Sequence, residues 1–308
     1  MYSPKGEFFN AKFYQLTNKM NTNQYTTIGN TPMIRLTRYE PNRRVKIYAK
    51  YEGANQGGSI KDRVALWMIN DAIKNNELDN GKELIEASSG NTGIGLAMIA
   101  SLYKIPVNIV VPKTISKERL GLLKVYGAKV MLSKDTIGLV KEIVRKQPKK
   151  YIWLNQYENN QSIQAHYQTT GVEIIRDTPN ITHFITGIGT GGTVTGVSKR
   201  LKEEKPTIKT YGIELNDTVR VPGLRSLSKY KPPIIDDSVI DERIVYSDES
   251  ASSEYIQDLV KGVGLLVGPS SGVALWGAVN LAKTLTEGVI VTIFPDSGER
   301  YLSTGVFA

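Results

Sequence analysis

Two hydrophobic patterns alternate along most of the chain. Short apolar runs rich in Val and Ile predict buried strands, and segments with apolar residues every three to four positions predict helices. The predicted strands are 45–51, 83–87, 107–111, 129–132, 151–155, 183–186, 210–214, 265–267 and 289–294. Helices are predicted between most of them, including 92–103, 117–126, 192–203 and 271–285. This alternation predicts an α/β protein with parallel sheets covered by helices on both faces.

One helix is preceded by an unusual glycine-rich turn. Gly57 and Gly58 lead into Ser59 and Asp62, which have the spacing of a capping box, and helical periodicity follows. Lys61 therefore lies in the first helical turn, where the helix dipole disfavours a positive charge. A lysine with a lowered pKa is a good imine-forming nucleophile. An exposed lysine without function is the alternative interpretation of this short pattern.

Composition limits the available chemistry. The chain of 308 residues has no cysteine, which excludes disulfides and thiolate nucleophiles, and its two histidines, His166 and His183, are too few for a histidine metal site. We expect both histidines to be ordinary packed or surface residues, and we expect no metal. Reactive groups must then come from lysine, hydroxyls, amides and backbone N–H groups.

Charge and hydropathy indicate which kinds of ligand and which cellular location to expect. The net charge is +9, but the basic runs are short and lack interleaved aromatic residues, so we expect attraction for small anions and not nucleic acid. There is no apolar run of about 18 residues and no secretion signal, so neither a membrane span nor export is predicted. The expected location is cytoplasmic.

Three loops rich in Gly, Ser and Thr follow predicted strands, where α/β proteins bind ligands. They are SSGNTG at 88–93, GIGTGGTVTG at 187–196 and GPSSG at 268–272. The second loop can hold an anion at a helix start, but it also has the spacing of a dinucleotide fingerprint, with Glu214 ending the next strand. The first loop can hold a carboxylate or simply cap a helix, and Ser270 of the third is predicted to be an N-cap.

Five motifs in order resemble the cysteine synthase/cystathionine β-synthase family of fold-type II pyridoxal phosphate (PLP) enzymes. They are NQGGSIKDR, EASSGNTGIGLA, GIGTGGTVTG, GPSSG and PDSGERYLST. The resemblance implies two three-layer α/β domains of the tryptophan-synthase-β type, with mainly parallel twisted sheets and the cofactor in the cleft between them. It places a smaller, mobile domain at 48–157 and a larger one at 1–47 plus 158–308. It also implies a homodimer, with an N-terminal arm at 1–25 that reaches across to the second copy.

The same resemblance assigns roles to individual residues. Lys61 carries the cofactor as an imine and later moves the substrate α-proton. Asn91 contacts the cofactor's 3′-hydroxyl, Ser270 faces the pyridine nitrogen, and the phosphate is held by Gly189, Thr190, Gly191, Gly192 and Thr193. The substrate carboxylate is held by Ser88, Ser89, Asn91, Thr92 and Gln156. Because a serine hydroxyl cannot keep the pyridine nitrogen protonated, β-replacement is favoured over transamination: O-activated L-serine reacts with sulfide through an aminoacrylate to give L-cysteine.

The substrate loop departs from the family pattern. Residues 221–233 read VPGLRSLSKYKPP, and Arg225 stands where acetylserine-using members have small neutral residues. Because arginine suits phosphate recognition, we predict that O-phospho-L-serine is preferred over O-acetyl-L-serine. An exposed arginine on a mobile lid is the alternative.

Several other functions remain open at this level. Cystathionine β-synthase, or a β-replacement enzyme with another nucleophile, is the first alternative, although the chain stops at Ala308 without a regulatory domain. A dehydratase acting on free serine or threonine is another. The fingerprint in GIGTGGTVTG would suit an NAD-dependent oxidoreductase, and a non-catalytic partner of serine acetyltransferase would use the same fold, although no motif supports that partner.

Overall fold

The computed structural model describes residues 27–307, which form two separate β-sheets. The strands are β1 Met33–Arg35, β2 Val45–Tyr51, β3 Glu83–Ala87, β4 Val107–Val111, β5 Lys129–Leu132, β6 Tyr151–Trp153, β7 His183–Gly187, β8 Lys209–Leu215, β9 Glu242–Tyr246 and β10 Gly288–Phe294. The α-helices are α1 Lys61–Lys74, α2 Asn91–Leu102, α3 Lys117–Val125, α4 Thr136–Lys146, α5 Gln161–Ala165, α6 Gly171–Asp177, α7 Gly192–Glu204, α8 Ala251–Val263 and α9 Pro269–Thr284. A 3-10 segment, Gly298–Thr304, follows β10.

Both sheets are mainly parallel. The larger sheet has the strand order β1-β2-β10-β7-β8-β9, in which only β1 and β2 pair antiparallel. The smaller sheet has the order β5-β4-β3-β6 with every pair parallel. The predicted fold class, α/β with mainly parallel sheets, is therefore confirmed.

Helices cover both faces of each sheet, because parallel strands bury both faces. On the larger sheet, α8 and α9 pack on one face, and the side chains of α6 and α7 pack with Phe184 and Val291 on the other. On the smaller sheet, α1 and α2 pack on one face, while Val140 of α4 contacts Ile85 and Val110 on the other. The start of α1 is thereby held against the smaller sheet.

The differences from the predicted elements lie at sheet edges and in loops. Strands β1 and β9 were not predicted. Both are edge strands: β1 has only three residues, and three of the five positions of β9 are exposed, so neither has a continuous apolar run. The predicted strand 265–267 is wrong, since Val267 makes only an isolated bridge to Ser297. The N-cap of α9 is Gly268, and Ser270 lies inside the first turn.

The predicted domain division stays a prediction. Strand β2, which crosses the predicted boundary at residue 48, belongs wholly to the larger sheet. The predicted N-terminal arm at 1–25 lies outside the described residues. None of the helices formed by residues 27–307 has the length and apolarity needed to cross a membrane.

Candidate active site

A cavity lies where the carboxyl ends of strands from the larger sheet face the N-termini of α1 and α2. Its lining combines residues that are far apart in the chain: Lys61, Asn91, Gly189, Thr190, Gly191, Thr193 and Ser270. The carboxyl ends of parallel strands meet at one edge of a sheet, so the loops that leave them can share a ligand. Seven of the predicted site residues are thus brought together.

Lys61 is the first residue of α1 and points toward the loop after β7. Its Nζ atom donates a hydrogen bond to Oγ1 of Thr190 at 3.3 Å. Burial, assisted by the nearby positive charge of Arg225, lowers the pKa of Lys61 to about 8. The uncharged fraction of the amine near neutral pH is therefore much larger than for an ordinary lysine.

The predicted capping box forms only in part. The Oγ atom of Ser59 accepts from the backbone N–H of Lys61 at 3.3 Å, and the carboxylate of Asp62 accepts from the N–H of Gly57 at 2.7 Å. Asp62 thus ties the glycine turn to α1. This brace orients the first turn of the helix that carries Lys61.

The loop before α7 forms a cradle that can accept an anion and leaves no room for side chains at Gly189 and Gly191. Gly191 has φ +94°, and a Cβ atom there would lie 2.3 Å from Cγ1 of Ile235. A Cβ atom on Gly189 would lie 2.2 Å from the carbonyl oxygen of Gly223. No acidic residue occupies the first turn of α7, so its N-terminal N–H groups are available to an anion. Gly192 starts α7 but does not line the cavity, and a Cβ there would lie 2.6 Å from the carbonyl oxygen of Ser162.

His166 supports this cradle from behind, which sequence reasoning missed. The side chain is buried, with Nε2 3.2 Å from Oγ1 of Thr193 and Nδ1 3.0 Å from Oγ1 of Thr170. Burial, together with the charges of Lys61 and Arg63, lowers the pKa of His166 well below its ordinary value, so the ring is neutral. No motif links His166 to Thr193, so only the fold could reveal the contact.

Two of the predicted carboxylate-binding residues, Thr92 and Gln156, bond to each other, and Ser88 bonds to the backbone at the start of α2. Oγ of Ser88 accepts from the N–H of Gly93 at 3.1 Å, and Oγ1 of Thr92 donates to Oε1 of Gln156 at 2.5 Å. Ser88, Ser89, Thr92 and Gln156 do not line the cavity together with Lys61. Their role toward a substrate therefore stays a prediction.

Arg225 is half-buried between two aromatic rings. Its Nη2 atom donates to the hydroxyl of Tyr157 at 2.9 Å, and its guanidinium lies 4.6 Å from the ring centre of Tyr157 and 5.2 Å from that of Tyr230. Among residues 27–307 no carboxylate forms an ion pair with it. Its positive charge contributes to the lowered pKa of Lys61.

A buried ionic cluster, which was also not predicted, joins α1 to neighbouring elements. Its members are Lys50, Glu52, Arg63 and Glu173. The guanidinium of Arg63 contacts both oxygens of Glu52 at 2.7 and 2.8 Å and both oxygens of Glu173 at 2.5 and 2.8 Å. Nζ of Lys50 lies 2.9 Å from Glu173. Burial raises the pKa of Glu173, but the hydrogen bond and charge of Arg63 outweigh it and lower the value to about 2. The cluster fixes α1 against α6 and the end of β2.

The residues on the cavity fit pyridoxal phosphate. Lys61 offers an amine of lowered pKa, and the loop at 189–193 offers a cradle closed to side chains but open to an anion. Ser270, at the start of α9, offers an uncharged hydroxyl. Within the described part of the chain, no group of three or more His, Asp or Glu residues could hold a metal ion.

Comparisons with known proteins agree with this chemistry. The family model described as "Pyridoxal-phosphate dependent enzyme" matches residues 25–296. A cysteine synthase from Aquifex aeolicus is 41% identical over 297 residues, with 91% of this chain and 90% of the relative covered.

Solved structures show the same fold. The crystal structure of a cysteine synthase from Entamoeba histolytica superposes with a TM-score of 0.88 at 32% identity, covering 94% of this chain and 91% of that one. An O-acetylserine-dependent cystathionine β-synthase from Helicobacter pylori gives a TM-score of 0.87 at 32% identity, covering 94% and 99%. The family match supports pyridoxal phosphate, and not NAD, as the cofactor.

Proposed function

Because this chain belongs to the pyridoxal-phosphate-dependent enzymes, we propose that it is a cysteine synthase, which replaces the activated hydroxyl of an O-substituted L-serine with sulfide. The observation that carries the proposal is the position of Lys61, a half-buried amine facing the anion cradle across the cavity. The similarity to enzymes named cysteine synthase and cysteine synthase B, at 41% and 39% identity, supports the reaction class.

Pyridoxal phosphate, when held at this site, would supply an electron sink that makes the Cα proton of an amino acid substrate acidic. Nζ of Lys61 is the group that takes this proton, and its pKa of about 8 suits a base that works near neutral pH. Thr190, Thr193 and the N-terminus of α7 would hold the cofactor phosphate. Because the hydroxyl of Ser270 carries no charge, it would not keep the pyridine nitrogen of the cofactor protonated. This favours expulsion of a β-substituent over chemistry that needs a long-lived carbanion.

For the donor we propose O-phospho-L-serine ahead of O-acetyl-L-serine. Beside the lysine cavity, and sharing Pro222, Gly223 and Leu224 with it, lies a second cavity of about 600 Å³. Its lining includes three cations, Arg220, Arg225 and Lys229. Arg220 and Lys229 donate to the backbone oxygen of Asp217, and none of the three forms an ion pair within residues 27–307. A phosphate ester is the activated serine that would use such charges.

The donor is tested by comparing kcat/KM for the two serine esters in Arg225→Ala. We expect a loss of about ten- to a hundredfold with O-phospho-L-serine, as for a charge-assisted hydrogen bond, and less than about threefold with O-acetyl-L-serine. Arg145→Ala, which removes an exposed arginine from α4, is the control for general charge attraction. Equal losses with both esters would show that Arg225 acts only through Lys61 or the fold.

The acceptor is a separate part of the proposal. The similarity to a cystathionine β-synthase makes homocysteine the second candidate, and product analysis with sulfide and homocysteine in competition distinguishes the two. We also propose that the enzyme is a homodimer, which sedimentation velocity of the full chain tests directly.

A further inference from the structure

The motif PDSGERY at 295–301 has no role in the chemistry described so far, yet two of its residues hold a cofactor-facing side chain. We propose that Asp296 and Arg300 are positioning residues that fix the side-chain amide of Asn91, so that it presents an N–H group and not its oxygen to the cofactor. This inference rests on the proposed contact between Asn91 and the cofactor.

The side-chain amide of Asn91 bonds to both Asp296 and Arg300, across the two sheets. Nδ2 of Asn91 donates to Oδ2 of Asp296 at 2.7 Å, and Oδ1 of Asn91 accepts from Nη1 of Arg300 at 2.6 Å. Asn91 is the first residue of α2, which packs on the smaller sheet, whereas Asp296 and Arg300 follow β10 of the larger one. Asp296 and Arg300 are buried, with 1% and 5% of their surface exposed, so water does not compete for these bonds.

The donor and acceptor groups of Arg300 and Asp296 determine the orientation of the Asn91 side-chain amide. A guanidinium only donates hydrogen bonds, so it must face the amide oxygen, and a carboxylate oxygen that accepts must face the NH₂ group. Turning the amide over would set N–H against N–H and oxygen against oxygen. In the observed orientation one N–H of Asn91 is used by Asp296, and the second is left for a ligand in the cavity that Asn91 lines.

The two positioning residues are themselves held in place. Nη2 of Arg300 donates to the carbonyl oxygen of Gly57 at 2.8 Å, and a Cβ atom on Gly58, where φ is +79°, would lie 2.2 Å from that same nitrogen. Oδ2 of Asp296 also accepts from the hydroxyl of Tyr301 at 2.5 Å. Arg300 therefore joins the turn before Lys61 to the cofactor-facing amide.

The other charged groups around Asp296 and Arg300 do not change the orientation of the Asn91 amide. Burial raises the pKa of Asp296, while Tyr301 and Asn91 and the charges of Arg300 and Arg119 oppose that rise. Oδ2 accepts both of its hydrogen bonds whether or not Oδ1 carries a proton. Burial likewise raises the pKa of a second buried acid, Asp62, more than the charge of Arg300 lowers it.

An N–H donor directed at the cofactor's ring hydroxyl stabilises the deprotonated oxygen, so its loss raises the pKa of that oxygen. The test is a pH titration of the visible absorption of the holoenzyme without substrate, together with the dissociation constant of pyridoxal phosphate. We expect Asn91→Ala and Arg300→Met each to raise the titration midpoint by about one pH unit and to weaken cofactor binding about tenfold. Asp296→Ala should shift the midpoint in the same direction, and Arg300→Lys should return it toward the wild-type value.

The double variant Asn91→Ala/Arg300→Met should shift the midpoint no further than Asn91→Ala alone, because Arg300 acts through Asn91. Glu299→Gln, an exposed neighbour in the same motif, is the control and should leave the midpoint unchanged. The inference is overturned if Arg300→Met, folded as judged by its thermal unfolding, keeps the wild-type midpoint while Asn91→Ala moves it, or if the two shifts add. An unchanged midpoint in Asn91→Ala would show that Asn91 does not contact the cofactor's ring hydroxyl, which overturns the inference. That result would not bear on the proposed reaction of Lys61.

Discussion

The side-chain nitrogen of Lys61 lies 3.3 Å from the hydroxyl oxygen of Thr190, although 129 residues separate the two in the chain. Lys61 begins the helix that packs on the smaller sheet, and Thr190 lies in the loop that leaves the larger one. The contact therefore spans the space between the sheets. It places an amine that can lose its proton beside an anion-binding loop.

Removing this amine should abolish turnover. We expect Lys61→Ala to lower kcat for cysteine formation at least about a thousandfold, within the range reported for loss of a catalytic base. Lys74→Ala removes an exposed lysine from the last turn of the same helix and should change kcat little. A Lys61→Ala protein that keeps substantial turnover would rule out the central assignment.

Capture of pyridoxal phosphate by the cofactor-free protein should depend on pH through Lys61. The lowered pKa means that the reactive uncharged amine grows as pH rises through about 8 and is depleted below it. Since the charge of Arg225 contributes to the lowering, Arg225→Gln should move the midpoint upward, toward but not reaching the ordinary lysine value, because burial is the larger cause. The measurement is the rate of change in visible absorption after mixing, as a function of pH. A midpoint that stays in place or falls in Arg225→Gln would contradict the proximity of the two charges.

The cradle should not tolerate a side chain at Gly191. Gly191→Ala combines a positive φ with a contact of 2.3 Å to Ile235, so we expect at least about a tenfold loss of cofactor affinity, equal to about 1.4 kcal/mol. Gly127 also has a positive φ, +80°, but nothing lies within 4 Å of a Cβ there. Gly127→Ala should cost about 1–2 kcal/mol of stability and leave cofactor affinity unchanged. Equal cofactor affinities in the two variants would mean that the steric contact is irrelevant.

Breaking the buried ionic cluster should destabilise the fold far more than breaking an exposed ion pair, because it leaves buried charges without a partner. Arg63→Met leaves Glu52 and Glu173 without their main partner, and we expect the free energy of unfolding to fall by about 3–5 kcal/mol in urea titrations. Lys146→Met breaks the exposed pair with Glu142 and should cost less than about 1 kcal/mol. If both losses are similar, the cluster contributes no more than a surface pair.

Local sequence pattern was a reliable guide where burial is continuous and a poor one at edges. The all-buried run of β4 and the anion loop before α7 were predicted at their observed places, because burial on both faces and glycine at a strand end leave a clear pattern. Strand β9 was missed because its Glu, Arg and exposed Val positions show no apolar run. The segment at 265–267 has the composition of a strand but finds no neighbouring ladder beyond one bridge.

The sequence by itself determined the fold class, since apolar strands and amphipathic helices alternate along most of the chain. It also predicted Lys61 at a helix start and the glycine-rich loop before α7, since each depends on a few consecutive residues. Only the tertiary structure decided that His166 supports Thr193, that Arg63 neutralises Glu52 and Glu173, and that Asp296 and Arg300 orient Asn91. Those partners come from separate elements, up to 209 residues apart, and depend on how the two sheets meet. Buried polar groups need partners, but nothing in the local sequence says which distant residue supplies them.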